Sequence, residues 1–269
     1  MLRSGRRTCA GSVAAMRFET RRHRARREYF EAGFRDEWRE LVRDRVPVWR
    51  SLDDDERARV ETLALGLIAG VNWEAANGFE ITDEIKVLIA SEACVIILGL
   101  PDDSFRDVHT ILVHPTTLVL TGEHSQVAGI VSDDPMPILG QAELHGPVTI
   151  IWDAVKDEAR HPGSGHNVVF HEFAHKLDML DGAADGTPPM QTVEQSQRWV
   201  EVCTRVYEQV VEGTAGRALR SYAGVNPAEF FAVATESFFD DPIDLRRQQP
   251  DLYDVLSTYY RQDPAARHR

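Results

Sequence analysis

Apolar residues recur at helical spacing over much of the chain and at strand spacing over a few short runs. This pattern predicts an α+β protein. Ser51 and the acids that follow it favour a helix start, and the next apolar positions extend that helix to about Ala69. Residues 83–100, which are largely apolar from position 87 onwards, predict a buried helix that Gly99 and Pro101 bring to an end.

Short runs rich in β-branched residues predict a small, mixed sheet. Residues 110–114 and 117–121 lie on either side of Pro115, so the first run is expected to be an edge strand or to finish at a strand end. Residues 147–152 predict a further strand, and residues 78–81 predict a short turn and strand.

Three helices are predicted in the second half of the chain. A glycine-rich loop at 162–165 leads into a helix from about 167 to 180, and a second helix covers about 193–212. A third begins with Asn226 as its N-cap, followed by proline at the first helical position, and ends before Pro242. The sheet is expected to pack beside the helix at 167–180.

That helix carries the motif HEFAH at positions 171–175. Residues four apart lie on one helix face, so His171 and His175 can bind the same ion. Glu172 is displaced by one position, so its carboxylate can reach a water molecule beside the ion without replacing a ligand. This is the HExxH arrangement of zinc peptidases, and it predicts one zinc ion with Glu172 as the catalytic base.

The competing interpretation is a chance occurrence of this short motif on a solvated helix. The apolar flanks argue against it, because burying two imidazoles and an acid without a partner is costly. Cysteines are missing from the neighbourhood of the motif, which disfavours a structural site of mixed cysteine and histidine ligands.

A catalytic zinc site needs a third protein ligand. Asp178 and Asp181 stand where the metzincin pattern requires glycine and histidine, which excludes that class. The remaining option is an acid on a later helix, either Glu229 or Glu236, which lie seven residues apart on one face. Glu229 can instead form a capping box with Asn226, and Glu236 has apolar neighbours. Spacing alone leaves the two nearly even.

Two further residues near the motif have an open role. Asp178 can accept a hydrogen bond from an imidazole N–H, or it can be an ordinary charge in the last helical turn. His166 lies close to the helix start, where it can shape the site or be a simple loop residue.

The charge distribution argues against nucleic-acid binding. The chain carries a net charge of −13. Residues 1–27 hold nine arginines and one acid, a balance of +8, so the remainder carries −21 and would repel phosphates. Residues 1–28 are predicted to be a basic, disordered tail with Met16 as the expected true start, and residues 29–269 a single peptidase domain.

Cysteine usage and hydropathy predict a cytoplasmic protein. The three cysteines form no CxxC pair, and an odd number suits a reducing compartment better than a disulfide framework. A secretory signal is not evident, and the longest apolar run, 87–100, is too short to span a bilayer.

The extended sequence around the motif resembles the MtfA (Mlc titration factor A) family of bacterial zinc peptidases. The similar segments are HEFAHKLDM at 171–179, Tyr-Ala at 222–223 and NPAEFFAV at 226–233, with Glu236 and two phenylalanines behind them. The resemblance covers roughly residues 45–265 and is far more specific than HExxH alone.

The resemblance implies a zincin-like fold of the gluzincin type, distantly related to the catalytic domain of anthrax lethal factor. It implies zinc held by His171, His175 and Glu229, with Glu172 as the base and Tyr222 assisting catalysis. It further implies a cytosolic, aminopeptidase-like enzyme for small peptides that also binds a transcriptional repressor of the Mlc type. The alternative is a zinc-stabilised binding protein that sequesters a regulator. The intact Glu172 argues against it, because a structural site needs no base.

Overall fold

A computed structural model describes residues 27, 29–76, 78–116 and 146–268. The main α-helices are α1 (Asp36–Arg45), α2 (Asp54–Gly70), α3 (Asp83–Ile96), α4 (Trp152–Glu158), α5 (Val168–Asp178), α6 (Val193–Val211), α7 (Pro227–Asp240), α8 (Pro242–Gln248) and α9 (Pro250–Tyr260). The strands are β1 (Asn72–Ala75), β2 (Thr110–His114) and β3 (Val148–Ile151). Short 3-10 turns cover Pro47–Ser51, Met179–Asp181, Ser221–Gly224 and Pro264–His268. The described part of the protein is therefore mostly helical, with one small sheet.

The three strands pair in the order β1-β2-β3, and both pairs are parallel. A mixed sheet was expected, but every described pair is parallel; the predicted strand at 117–121 lies outside the described residues. The sheet packs through β3 against α5, as predicted. Of the two alternatives for residues 110–114, the edge strand is wrong, because β2 lies between the other two strands, and the strand end before Pro115 is confirmed. Pro115 follows the last paired residue, so its missing N–H interrupts no ladder bond.

The first strand was not predicted, and a strand was expected instead at 78–81, where the chain forms a loop. The residues of β1 are exposed or half-buried and show no apolar run. They become a strand because their backbone pairs with β2, as in the register Asn72 with Thr110. Partner backbone, rather than local pattern, determines this element.

The start of α2 differs from the expectation by two residues. Ser51 was expected to begin the helix, but its hydroxyl donates to the Val48 carbonyl within the preceding 3-10 turn. Asp53 is the N-cap: it accepts from the Glu56 backbone N–H at 2.8 Å, and the Glu56 carboxylate accepts from the Asp53 N–H at 3.0 Å. This capping box satisfies the N–H groups of Asp53 and Glu56 and fixes the helix start at Asp53.

The buried helix α3 also ends earlier than expected, at Ile96 rather than near Leu100. The residues after it turn towards the C-terminal end of α9. A Cβ atom on Gly99 would lie 2.2 Å from the Tyr260 carbonyl oxygen, so glycine is required there by close backbone approach. None of the described helices is long and apolar enough to cross a membrane.

Helices α5 and α7 pack side by side at the centre of the molecule. Both begin as predicted: the Asn167 side chain caps α5, and the Asn226 side chain caps α7 with proline next to it. Their contact includes the Phe170 and Phe239 rings, whose centroids lie 5.5 Å apart. The predicted helix at 193–212 is also confirmed as α6.

Gly186 holds the loop after α5 against the start of α7. Its N–H donates to the buried Asp178 carboxylate at 2.9 Å, and its carbonyl accepts from the Trp199 indole at 3.0 Å. Its φ is +78°, and an added Cβ would lie 2.2 Å from the Pro227 carbonyl oxygen. Both the backbone conformation and the available space therefore require glycine.

We predict that Gly186→Ala destabilises the fold more than Gly163→Ala. Gly163 has nearly the same φ, +77°, but its added Cβ would meet nothing within 4 Å. Gly163→Ala should therefore cost only the left-handed strain, about 1–2 kcal/mol, whereas Gly186→Ala adds the collision with Pro227. Urea unfolding of both variants measures the difference. An equal loss of unfolding free energy in both variants would show that the backbone near Pro227 can move to accommodate the added methyl group, and would contradict the prediction.

Candidate metal centre

Three potential ligand atoms converge where α5 meets α7. His171 Nε2 lies 3.1 Å from Glu229 Oε2, His175 Nε2 lies 3.6 Å from that oxygen, and the two nitrogens are 3.2 Å apart. An ion held tetrahedrally at 2.0–2.1 Å would separate its ligand atoms by about 3.3–3.4 Å. The observed triangle therefore has the size that a zinc ion requires.

The chemistry of these donors also fits a metal ion. All three residues are buried. Glu229 Oε2 has no hydrogen-bond partner within the described part of the chain, although two imidazole nitrogens face it. Two imidazoles and one carboxylate form a ligand set typical of a zinc site that keeps an open position. His171, His175 and Glu229 could hold one zinc ion together.

Glu229 reaches the histidines because its backbone and side chain point in different directions. The Glu229 N–H donates to the Asn226 side chain at 2.9 Å, so it occupies the third helical position of α7. Half of the predicted capping box therefore exists, while the carboxylate turns to His171 and His175 instead. Burial alone would raise the pKa of Glu229, but the two imidazoles that face its carboxylate lower that pKa to about 2.

Glu236 lies on the opposite edge of the His171 ring. Its Oε1 accepts from His171 Nδ1 at 2.7 Å, and its side chain is almost fully buried. Arg220 donates to both carboxylate oxygens at 2.7 Å, and the Asn167 N–H donates to Oε2 at 2.8 Å. The structure thus separates the two acids that spacing left even: Glu229 faces Nε2, and Glu236 orients the ring through Nδ1.

A hydrogen bond to an imidazole, one of the two roles left open for Asp178, is not formed in this structure. Asp178 is completely buried, and its Oδ2 accepts from the Gly186 N–H. Its Oδ1 and His175 Nδ1 both lack a hydrogen-bond partner among the described residues. Asp178 therefore contacts the loop after α5 directly, and among the described residues His175 has no counterpart of the hydrogen bond that Glu236 makes to His171.

Glu172 lies beside the cluster without contributing to it. Burial raises the pKa of Glu172, and the charge of Glu229 raises it further, while His171 and His175 act in the opposite direction. A carboxylate with a raised pKa binds a proton more readily than an ordinary one, which suits a group that accepts and releases a proton. The neighbouring Lys176 donates to the Gly146 carbonyl at 2.8 Å, which ties α5 to the start of β3.

Tyr222 faces the same centre from the 3-10 turn before α7. Its ring centroid lies 6.1 Å from that of His171. Burial and the charge of Glu229 raise the pKa of Tyr222, so its hydroxyl remains a hydrogen-bond donor at neutral pH. His166, also singled out from the sequence, is exposed at the loop before α5, where its Nδ1 lies 3.3 Å from Arg220. It is not part of the ligand cluster.

Sequence reasoning missed the acids behind the N-terminal end of α5. The Asn167 amide donates to Glu92 at 2.7 Å, the Val168 N–H donates to Glu158 at 3.0 Å, and the Gly165 N–H donates to Asp240 at 2.8 Å. The three acids line a cavity of about 250 Å³. Burial raises the pKa of Glu92 to about 8 and that of Glu158 to about 7. Glu92 had a weak signal in the sequence, as the one charged residue within the apolar run 87–100.

Arg220 was also missed, because it belongs to no motif and follows no periodic pattern. Its only distinction in the sequence is that it stands two residues before Tyr222. The structure shows that it holds the carboxylate of Glu236. This contact spans 16 residues and cannot be deduced from local spacing.

Comparison with known proteins gives a family and named relatives. The model of a family described as glucose-regulated metallo-peptidase M90 matches residues 19–261. That match begins within the segment 1–28 for which a tail was predicted. A Mlc titration factor A of Edwardsiella ictaluri is 32% identical over 228 residues, which cover 82% of this chain and 86% of the relative. That of Serratia proteamaculans is 30% identical with the same coverage of both chains. An uncharacterized protein of Synechocystis sp. is 30% identical over 242 residues, 88% of each chain.

The geometry predicts different metal affinities for two matched substitutions. Glu229→Gln removes the charge of a direct ligand and should lower zinc affinity more than 100-fold. Glu236→Gln removes only the support of His171 and should lower it by about 10–100-fold. Competition with a chromogenic chelator measures both constants. A larger loss of affinity in Glu236→Gln than in Glu229→Gln would instead make Glu236 the ligand and Glu229 the supporting residue.

The buried acids predict a pH dependence of stability. Glu92 has a folded-state pKa of about 8 against the ordinary 4.5, so the folded state binds its proton more tightly. Stability from this group is therefore fully present below pH 4.5 and is lost as pH rises to about 8, by at most about 1.4 kcal/mol per pH unit. Glu92→Gln should flatten the decline in urea unfolding at equal zinc concentration. Glu84→Gln, at an exposed position of the same helix, is the control; profiles of Glu92→Gln and wild type with the same slope would contradict the prediction.

Proposed function

The chain belongs to the M90 family of glucose-regulated metallopeptidases, and on that premise we propose that it is a zinc-dependent aminopeptidase for small peptides. The observation that carries the proposal is the convergence of His171, His175 and Glu229, with Glu172 beside them. A site that only stabilised the fold would need no base next to its ligands. The zinc assignment is supported by the donor set and by the size of the ligand triangle.

The proposed mechanism divides the work among the ion and three side chains that do not bind it. A zinc ion held by His171, His175 and Glu229 would supply Lewis acidity: it would polarise the scissile carbonyl and lower the pKa of the attacking water, which then loses its proton more easily at neutral pH. Glu172 accepts the proton of the attacking water and delivers it to the leaving amine. Tyr222 donates a hydrogen bond to the substrate oxygen as negative charge develops on it. Glu236 keeps the His171 ring in place throughout.

The aminopeptidase assignment and the cellular setting are finer parts of the proposal. The preference for a free amino terminus rests on the resemblance to the MtfA family. Residues 29–269 are proposed to form one peptidase domain. The cytoplasm is the proposed compartment, which the free, buried thiols of Cys94 and Cys203 support.

A second function, binding a transcriptional repressor of the Mlc type, is supported by the name shared by two of the relatives, Mlc titration factor A. Repressor binding and peptide hydrolysis are compatible. The Glu172→Gln variant separates them, because it should abolish hydrolysis and leave repressor binding intact. Titration of a purified Mlc-type repressor with this variant should still give a complex. A protein that binds repressor but hydrolyses no peptide would favour the alternative of a zinc-stabilised sequestering protein.

We predict that Glu172→Gln keeps about one zinc per chain but loses nearly all peptide hydrolysis, because the residue is the base and not a ligand. Metal analysis and turnover of a small unblocked peptide measure the two properties. Glu208→Gln, at an exposed position of α6, is the control and should match the wild type. A fully active Glu172→Gln variant would exclude Glu172 as the base.

Pairs of peptides that differ only in amino-terminal acetylation test the substrate class. The proposal predicts that the free peptide is cleaved at its first bond and that the acetylated one is resistant. Internal cleavage of both peptides at similar rates would retain the zinc peptidase and overturn the aminopeptidase assignment.

A further inference from the structure

The carboxylate of Glu236 is held by donors from three different segments. Oε1 accepts from His171 and Arg220, and Oε2 accepts from Asn167 and Arg220, all within 2.7–2.8 Å. Only 1% of Glu236 is exposed, so its charge needs a partner of opposite charge as well as hydrogen bonds. Arg220 supplies that charge and contributes two of the four bonds.

The two bonds from Arg220 fix the direction of the carboxylate. A guanidinium group presents its N–H donors in a rigid, planar fork that matches both oxygens of a carboxylate. With Oε1 fixed as the acceptor, His171 Nδ1 carries the proton and Nε2 keeps its lone pair towards Glu229. The orientation of a metal ligand therefore depends on a residue that does not touch the metal site itself.

Arg220 also connects this carboxylate to the turn that carries Tyr222. It stands directly before the turn Ser221–Gly224, and its guanidinium carbon lies 5.7 Å from the Tyr222 ring centroid. The same side chain approaches the Gly165 carbonyl at 3.4 Å and His166 Nδ1 at 3.3 Å. One guanidinium thus joins α7, the tyrosine turn and the loop before α5.

We propose that Arg220 is a positioning residue of the metal centre, acting through Glu236 on His171 and through its own turn on Tyr222. The effect on Tyr222 concerns catalysis and rests on the proposed peptidase function. The effect on His171 concerns metal affinity and does not. The competing explanation is an ion pair that stabilises the fold and leaves the metal site unchanged once the protein is folded.

The experiment measures zinc affinity of the full-length chain by chelator competition, after circular dichroism has shown that each variant is folded. Arg220→Met removes the charge and the fork, and should weaken zinc binding by about 10–100-fold. Arg220→Lys restores the charge but not the two-point geometry, and should give an intermediate affinity. Arg205→Met is the matched control, because Arg205 pairs with the exposed Asp251 at 2.5 Å on the surface, and it should bind zinc like the wild type.

A double-mutant cycle tests whether Arg220 acts through Glu236. If it does, Arg220→Met should cause no further loss of zinc affinity when Glu236→Gln is already present. The visible spectrum of the cobalt-substituted protein should shift in Arg220→Met and stay unchanged in Arg205→Met, because it reports the ligand geometry. In peptide hydrolysis, kcat of Arg220→Met should fall by about 10–100-fold while KM changes little.

A folded Arg220→Met variant with wild-type zinc affinity and cobalt spectrum would overturn the proposal, as would losses that add fully in the double mutant. If Arg220→Met does not fold, Arg220→Lys decides: weakened zinc binding supports the proposal, and wild-type affinity contradicts it. If no peptide is hydrolysed by the wild type, the proposed function fails, but the zinc and cobalt measurements still decide the role of Arg220.

Discussion

The packing of α5 against α7 is the constraint on which the site depends, because two candidate ligands stand on one helix and the third on the other. A shift of α7 by one ångström would change the separations of 3.1 and 3.6 Å that join Glu229 to the two histidines. Buried aromatic contacts such as Phe170 with Phe239 resist that shift. The close contact of Gly186, in the loop after α5, with Pro227 at the start of α7 adds a second restraint on the two helices.

Charge compensation is the second requirement of this centre. Three lone-pair atoms face one another in a buried space, which is unfavourable unless a positive charge lies among them. Behind them, the negative charge of Glu236 is balanced by Arg220, while the pKa of Glu92 is raised because burial outweighs its hydrogen bond to Asn167. The two buried acids therefore differ: Glu236 is kept ionised by a cationic partner, and burial favours the protonated form of Glu92.

Local pattern was sufficient for the parts of the fold that depend on local chemistry. The spacing in HEFAH placed His171 and His175 on one face, and the caps Asn167 and Asn226 set the starts of α5 and α7. Pattern failed for β1, whose exposed residues become a strand through pairing with β2.

The local sequence pattern also could not choose between Glu229 and Glu236 as the third ligand. Both lie on one face of α7, and only tertiary packing determines which of them faces Nε2 of His171. Arg220 and the acids around Asn167 could not be predicted for the same reason, because their contacts join residues that are 10 to 77 positions apart in the sequence.

The most direct test of this account is a crystal structure of the zinc-loaded protein with anomalous data collected at the zinc edge. The account predicts one strong anomalous peak within about 2.0–2.2 Å of His171 Nε2, His175 Nε2 and a Glu229 oxygen, with a further position open to solvent. A peak bound by other residues, or a zinc-soaked crystal without a peak between α5 and α7, would contradict it.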